Sequence, residues 1–356
     1  MNKHNFSAGP AILPRTVIEK AAAALLDFNG SGLSLIEVSH RDRDFEEVMH
    51  EARSAAKRLM GLGEDHEILY LQGGASLQFA MVPLNLMRPG GKAAYLNTGT
   101  WASKAIDDAR KVGDVEVVAS SEDKNFSYIP RDFTVPSDAD YLHLTSNNTI
   151  FGTQMGAFPS SPIPMVCDMS SDIFSRPLDF ASFGLIYAGA QKNMGPAGVT
   201  LVALRKDLIG RSGRKLNAML DYGTHLKGES MYNTPPVFAV YVSMCTLHWI
   251  EEQGGLPAME IRNRAKADLL YREIERNSLF TSTVTDDSGS LMNVTFVMTK
   301  PELEAAFSAK LAEAGISGLK GHRSVGGFRA SIYNAMPLES VRVLVEVMQH
   351  FEQVQG

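Results

Sequence analysis

Lys192 closes the apolar run Leu185-Ile-Tyr-Ala-Gly-Ala-Gln-Lys192, and after Asn193-Met-Gly195-Pro196-Ala-Gly198 a second apolar run continues to Leu204. Two runs of strand length flank a Gly/Pro turn, so one amine stands where a buried strand stops. An ammonium beside apolar walls loses hydration, which lowers its pKa and frees the amine to attack carbonyl carbon. That is the chemistry of a Schiff-base lysine. An isolated lysine at a strand exit ordinarily keeps its charge in solvent. Here Gly189 and Ala190 before it, and Gly195, Pro196 and Gly198 after it, leave room for a flat ligand against the backbone.

Asp168 ends the run Pro164-Met-Val-Cys-Asp168. A carboxylate at the tip of a buried strand needs a cation, or it caps the turn that follows; the residue alone does not choose. Paired with Lys192, it matches what pyridoxal phosphate requires: an amine for the carbonyl carbon and a carboxylate that keeps the ring nitrogen protonated as an electron sink. Gln72-Gly73-Gly74-Ala75-Ser76 joins a strand pattern to a helix pattern, where N–H groups and the helix's positive end suit a small phosphate. It has neither the third glycine of a dinucleotide fingerprint nor the Gly-Lys-Ser/Thr of a P-loop. Trp101, at the start of a helix pattern, offers an aromatic face to a ring, although most tryptophans serve core packing. Thr149 lies in a loop on the strand-end edge where ligands collect in open α/β sheets; simple turn chemistry is its alternative.

His40, Arg41, Arg43, His322, Arg323 and Arg329 stand in or beside loops. Some of these are solvated surface charge, but guanidinium forks suit carboxylate and phosphate. In a chain of net charge −6, two basic loops beside glycines point to a small dianionic or trianionic substrate. The same net charge argues against a nucleic-acid surface. Cys167 and Cys245 sit in apolar runs, as free thiols of a reducing compartment do, and no metal-ligand cysteine spacing occurs. Residues 1–14 carry no apolar signal core, so a cytoplasmic location is expected. Residues 231–250 lack charge, yet Pro235 and Pro236 break the segment, which reads as a buried helix rather than a membrane span.

The elements that must position these residues alternate. Helix patterns cover 15–28 and a segment opened by the capping pattern Asp44-x-x-Glu47; strand and helix patterns then follow at 68–71, 77–87, 93–96, 101–111, 115–119, 141–145 and 165–167. Strands that are near-continuous apolar runs between helices predict an α/β fold with a mostly parallel sheet covered on both faces. After Gly254-Gly255 the pattern changes to a charged amphipathic helix at 259–276, a strand at 292–298, a helix capped by Thr299-x-x-Glu302, a strand at 328–333 and a helix at 338–351. The expected division is a large domain over 15–255 and a smaller α+β domain over 256–356, with the arm 1–14 docked on it.

Seven segments carry a resemblance in order along the chain: Asn5-Phe-Ser-Ala-Gly-Pro10, Ser39-His-Arg41, Gly73-Gly-Ala-Ser76, Asp168-Met-Ser-Ser171, Tyr187 to Gly198, Tyr232-Asn-Thr-Pro-Pro236, and Lys320-Gly-His-Arg323 with Arg329 to Ala335. The sequence resembles the phosphoserine aminotransferase family, in the class V group of fold-type I pyridoxal-phosphate enzymes. The resemblance implies that Lys192 carries pyridoxal 5'-phosphate, Asp168 pairs with its ring nitrogen, Trp101 stacks on the ring and Thr149 contacts the ring hydroxyl. It implies that Ala75, Ser76 and Gln191 hold the cofactor phosphate, and that Asn233 and Thr234 reach the phosphate of the partner subunit in a homodimer. For the substrate it implies Arg329 on the α-carboxylate, with His40 and Arg41, joined by the partner's His322 and Arg323, on the phosphate and Ser7 nearby. Some members carry Arg where this chain has Ser76.

The implied reaction is transfer of the amino group of L-glutamate to 3-phosphohydroxypyruvate, giving O-phospho-L-serine and 2-oxoglutarate in serine biosynthesis. A related step on 3-hydroxy-2-oxo-4-phosphonooxybutanoate in vitamin B6 synthesis needs the same groups. Glyoxylate transamination leaves the basic loops unexplained, and cysteine desulfuration needs a mobile cysteine that the apolar runs do not offer. A pyridoxal-phosphate-binding protein without turnover is the remaining alternative.

Overall fold

The structure is a computed structural model and describes residues 3–356. Seven strands form one sheet in the spatial order His66–Leu71, Thr200–Arg205, Leu185–Gly189, Met165–Asp168, Leu142–Thr145, Lys92–Asn97 and Asp114–Ser120. The last five run parallel, while Thr200–Arg205 runs antiparallel between its two neighbours. Alternate side chains leave opposite faces of a strand, and here both faces are covered. Leu69, Tyr95, Val166, Tyr187 and Val202 pack beneath α3 (Gly74–Leu86) and α4 (Thr100–Ala109). Ile68, Leu96, Leu144, Cys167, Ile186 and Leu201 pack against α2 (Arg43–Met60) and α6 (Val237–Glu252) on the other side.

Helix α1 (Arg15–Leu26) lies against α6, and a short α5 (Tyr222–Lys227) is capped by Asp221, whose carboxylate accepts the N–H groups of Gly223 and Thr224. Helix α6 begins directly after Pro235-Pro236, as the double proline requires, and no helix of the described residues is long and apolar enough to cross a membrane. Both cysteines are free and buried.

A second apolar core is built from α7 (Gly255–Arg276), α8 (Glu304–Glu313), α9 (Leu338–Gln355) and the antiparallel strands Phe280–Ser282, Asn293–Met298 and Phe328–Ser331. Phe280, Phe296, Phe307 and Phe328 pack within it with ring centroids 4.9–5.6 Å apart, Phe296 stacked on Phe328 and the other pairs tilted or edge-to-face. The arm joins this core. His4–Asn5 pairs in parallel with Ile316–Ser317, and Phe6 is fully buried there.

Helix starts differ most from the sequence pattern. Asp44 lies inside α2, whose cap Asp42 makes no side-chain bond, so the expected capping box is not formed; Asp44 and Glu46 instead place negative charge in the first turn, where the helix dipole favours it. Helix α3 starts at Gly74, three residues before its apolar pattern. The helix expected to be capped by Thr299 starts at Glu304 after a 3-10 turn over Pro301–Leu303, because the Thr299 hydroxyl donates to the Ser278 carbonyl across the strand end.

Gly318 has φ +75°, and a Cβ there would collide with the Ser7 backbone. Gly318→Ala is expected to lift the arm and lower stability by about 1–3 kcal/mol. Faster proteolytic loss of residues 1–14 and a lower denaturation midpoint would both show it; an unchanged cleavage rate would contradict the tight fit.

Candidate active site

The loops after His66–Leu71, Lys92–Asn97, Leu142–Thr145, Met165–Asp168 and Leu185–Gly189 reach the same edge of the sheet. Those loops surround a cavity of about 590 Å³ lined by Gly74, Ala75 and Ser76, by Thr100, Trp101 and Lys104, by Thr145, Asn147 and Thr149, by Asp168, Ser170 and Ser171, and by Gln191 and Lys192. The small unit closes the far side with His322, Arg323 and Arg329, and the arm adds Ala8 and Gly9. The site thus occupies the carboxyl ends of the strands, where open α/β sheets bind ligands.

Lys192 follows the Leu185–Gly189 strand by three residues, and its Nζ donates to Thr149 Oγ1 at 3.0 Å. The same amine lies 5.9 Å from the centre of the Trp101 ring. Burial pushes its pKa down to about 8, Arg329 pushes the same way, and Asp168 and Asp172 oppose them. Asp168 is the last residue of its strand and is 6% exposed. Its Oδ1 accepts the Ser170 N–H at 2.9 Å. Burial raises its pKa, while the Ser170 bonds and Lys192 hold it down. Both readings of Asp168 are therefore realised, one oxygen serving the turn and the carboxylate facing the cavity.

Gly73 and Gly74 have φ of +88° and +66°, and a Cβ on Gly73 would stand 2.5 Å from Leu77. The turn they make starts α3 with no side-chain cap, so its first N–H groups are left for an anion. Three polar atoms on cavity-lining residues are buried without a protein partner: Trp101 Nε1, Thr145 Oγ1 and Arg329 Nε. Groups of this kind ordinarily find a partner, and here a ligand supplies the natural one. An amine, a desolvated carboxylate, an aromatic flank and an uncapped helix end together fit pyridoxal phosphate.

Of the residues singled out in the sequence, Ala75, Ser76, Trp101, Thr149, Asp168, Gln191, Lys192, His322, Arg323 and Arg329 meet in this one cavity. Ser7, His40, Arg41, Asn233 and Thr234 do not line it. Ser7 precedes the lining residue Ala8; His40 and Arg41 stand just before α2, with His40 Nε2 unpartnered; Asn233 and Thr234 lie beyond Gln72, whose Nε2 donates to the Thr234 carbonyl at 2.9 Å. His322 and Arg323, assigned by the resemblance to the cavity of a partner, wall the cavity of their own chain. The sequence reading missed Lys104, Asn147, Ser170 and Ser171. Lys104 was findable: it is one helical turn past Trp101, and its Nζ lies 4.9 Å from that ring.

The family described as aminotransferase class-V matches residues 3–344. The chain belongs to the class V aminotransferases. Within that family, phosphoserine aminotransferase of Flavobacterium johnsoniae is 61% identical over 353 residues, 99% of each chain. Among solved structures, phosphoserine aminotransferase from Bacillus circulans subsp. alkalophilus has a TM-score of 0.97 at 48% identity, covering 100% of this chain and 99% of that one. A pyridoxal-phosphate-bound phosphoserine aminotransferase from Trichomonas vaginalis has a TM-score of 0.92 at 38% identity, covering 98% and 100%. As a class V aminotransferase, the chain has the fold of its group, an α/β unit with a mostly parallel sheet.

In the cofactor-free protein the Lys192 amine carries its proton below about pH 8 and is free above it, rather than at the ordinary lysine value of 10.5. The lowered native pKa means that the unfolded chain binds more protons between those values, so this group's contribution to stability rises with pH across the window. Acetylation of Lys192 by acetic anhydride, followed by mass spectrometry across pH, is expected to rise with a midpoint near 8. A midpoint at the ordinary value would show that the amine is not desolvated.

Proposed function

We propose that this class V aminotransferase uses pyridoxal 5'-phosphate to move the amino group of L-glutamate to 3-phosphohydroxypyruvate, yielding O-phospho-L-serine and 2-oxoglutarate for serine biosynthesis. The observation that carries the reading is the crowd of cations around Lys192. Lys104, Arg323 and Arg329 share the cavity with it, beside the His322 imidazole, whose pKa burial and these neighbouring cations lower, while Asp168 is the one carboxylate in its lining among the described residues. The end-to-end identity with phosphoserine aminotransferases supports the same substrates.

Lys192, Asp168, Trp101 and Thr149 would hold the ring, and the N–H groups of Ala75 and Ser76 with Gln191 would hold the phosphate. When bound, the cofactor supplies a carbonyl for the amino group and an electron-accepting ring that acidifies the substrate Cα–H. Asp168, buried and bonded to Ser170, would keep a proton on the ring nitrogen. Lys192 takes the Cα proton as base and returns a proton as acid, and a pKa of about 8 suits it to both near neutrality. Thr149 accepts from the amine and fixes where it stands. Arg329 presents a guanidinium to the α-carboxylate.

The glutamate side chain and the acceptor phosphate are both anions at the far end of the substrate. One set of groups, the cations Arg323 and Lys104 with the His322 imidazole as a hydrogen-bond donor beside them, therefore serves both halves of a ping-pong reaction. His40, Arg41, Asn233 and Thr234 lie outside the cavity of their own chain; on this reading they complete the site of a second copy in a homodimer, with Ser7 at the cavity edge. Residues 15–255 carry the cofactor, and residues 256–356 with the arm supply the substrate side. The same groups would accept the phosphonooxybutanoate intermediate of vitamin B6 synthesis, and the enzyme would act in the cytoplasm.

With glutamate as donor, the loaded enzyme is expected to turn over 3-phosphohydroxypyruvate far faster than glyoxylate; the reverse order would sink the phosphate reading. Lys192→Ala should abolish turnover. Arg329→Ala should weaken glutamate by roughly 1.5–3 kcal/mol, seen as a raised KM. An unaltered KM would remove Arg329 from its place on the α-carboxylate.

A further inference from the structure

Asn334 lies three residues beyond the Phe328–Ser331 strand that carries Arg329, and it is 1% exposed at the seam between the two cores. It does not line the cavity. Its Nδ2 donates to the Phe174 carbonyl at 2.9 Å, and its backbone N–H donates to Asn193 Oδ1 at 3.0 Å. Its Oδ1 accepts from Asn263 Nδ2 at 2.8 Å, and the same Asn263 nitrogen donates to the Ser175 carbonyl at 3.0 Å. Backbone carbonyls only accept, so the Phe174 and Ser175 carbonyls fix the orientation of both amides.

The segments joined here are the ones that carry the chemistry. Phe174 and Ser175 lie within the loop that begins after Asp168, and Asn193 follows Lys192 directly. Phe174 is fully buried with φ +58°, a conformation a bulky residue keeps only where its surroundings enforce it. The chain leading into Asn334 is itself pinned. Lys266 of α7, 1% exposed, donates to the carbonyls of Ile332 and Tyr333 at 2.8 and 2.6 Å, and Tyr333 Oη donates to the Ala8 carbonyl of the arm at 2.7 Å.

We propose that Asn334 is a positioning residue for the amino transfer, a single amide that sets the Arg329 strand against the loop of Asp168 and the turn of Lys192, supported from α7 by Asn263 and Lys266. The proposal rests on the reading of Arg329 as the carboxylate anchor. An asparagine is needed because the place demands a donor and an acceptor on one short planar group. Aspartate offers no donor and sets a carboxylate against the Phe174 carbonyl, and alanine leaves the Phe174 carbonyl and one of the two Asn263 Nδ2 N–H groups without this partner.

The test compares Asn334→Ala, Asn334→Asp and a control, Leu344→Ala, which opens the small core away from the seam. Glutarate, a dicarboxylate without an amino group, is titrated into each loaded enzyme by calorimetry, and backbone hydrogen exchange is followed in each free protein. Both Asn334 variants are expected to bind glutarate at least tenfold more weakly, to raise KM for glutamate by a similar factor, and to exchange faster over 169–176 and 190–194. The control is expected to leave these unchanged. Affinity and exchange within twofold of the parent, or the same changes in the control, would overturn the proposal. Should the Asn334 variants fail to fold, Asn263→Ala removes only the support and is expected to shift the same peptides and affinity by a smaller factor; no shift there also overturns it. Arg329→Ala run alongside separates the two readings. If it leaves glutarate binding intact, the anchor assignment fails, while the exchange of the two segments still decides whether Asn334 joins them.

Discussion

Taking the Lys192 amine out of water, within reach of two carboxylates that only partly compensate, is the interaction on which the rest of the site depends. Burial alone would neutralise the amine; Asp168 and Asp172 pull it back toward charge, and Arg329 pushes it away again. The balance leaves a base that can both take and give a proton near neutral pH. Asp168 experiences the reverse: burial raises its pKa, and the Ser170 bonds and Lys192 lower it. Neither group could be moved to the surface without losing the property that makes it useful, which is why both stand at the ends of buried strands.

That requirement accounts for the architecture around them. A parallel sheet covered on both faces brings strand ends together at one edge, and the loops there need satisfy no ladder. Lys192 and Asp168 arrive on adjacent strands, Thr145 on the next, and Trp101 one strand farther along. The opposite wall comes from the second core, so Arg329 and the pair Lys192 and Asp168 belong to units with separate apolar interiors. Their relative placement therefore rests on polar contacts across the seam, among them Asn147 donating to Asn293 Oδ1 at 2.8 Å and Asn334 to the Phe174 carbonyl.

Much of this was legible in the sequence because strand ends announce themselves. Apolar runs stopping at Asp168 and Lys192, and a glycine pair before a helix pattern at Gly73-Gly74, mark where side chains meet a ligand. The class and the parallel sheet followed from the same runs. Helix starts were less legible: Thr299 and Asp44 had the right spacing for caps, but tertiary partners or first-turn electrostatics took them. Lys104, Asn147 and Asn334 escaped notice because their importance lies in what stands across from them, and a polar residue in a loop or on a helix face gives no periodic signal of its neighbour.

The anion cradle at the start of α3 is made of main-chain donors shaped by Gly73 and Gly74. Such a cradle is indifferent to which side chains ride on it. On the proposed reading, drift at Ser76, exposed at the cavity rim, would retune which acids are welcomed while the main-chain grip on a cofactor phosphate stayed as it was. Retention and selectivity are thereby separately evolvable, one written in the backbone and the other in replaceable side chains.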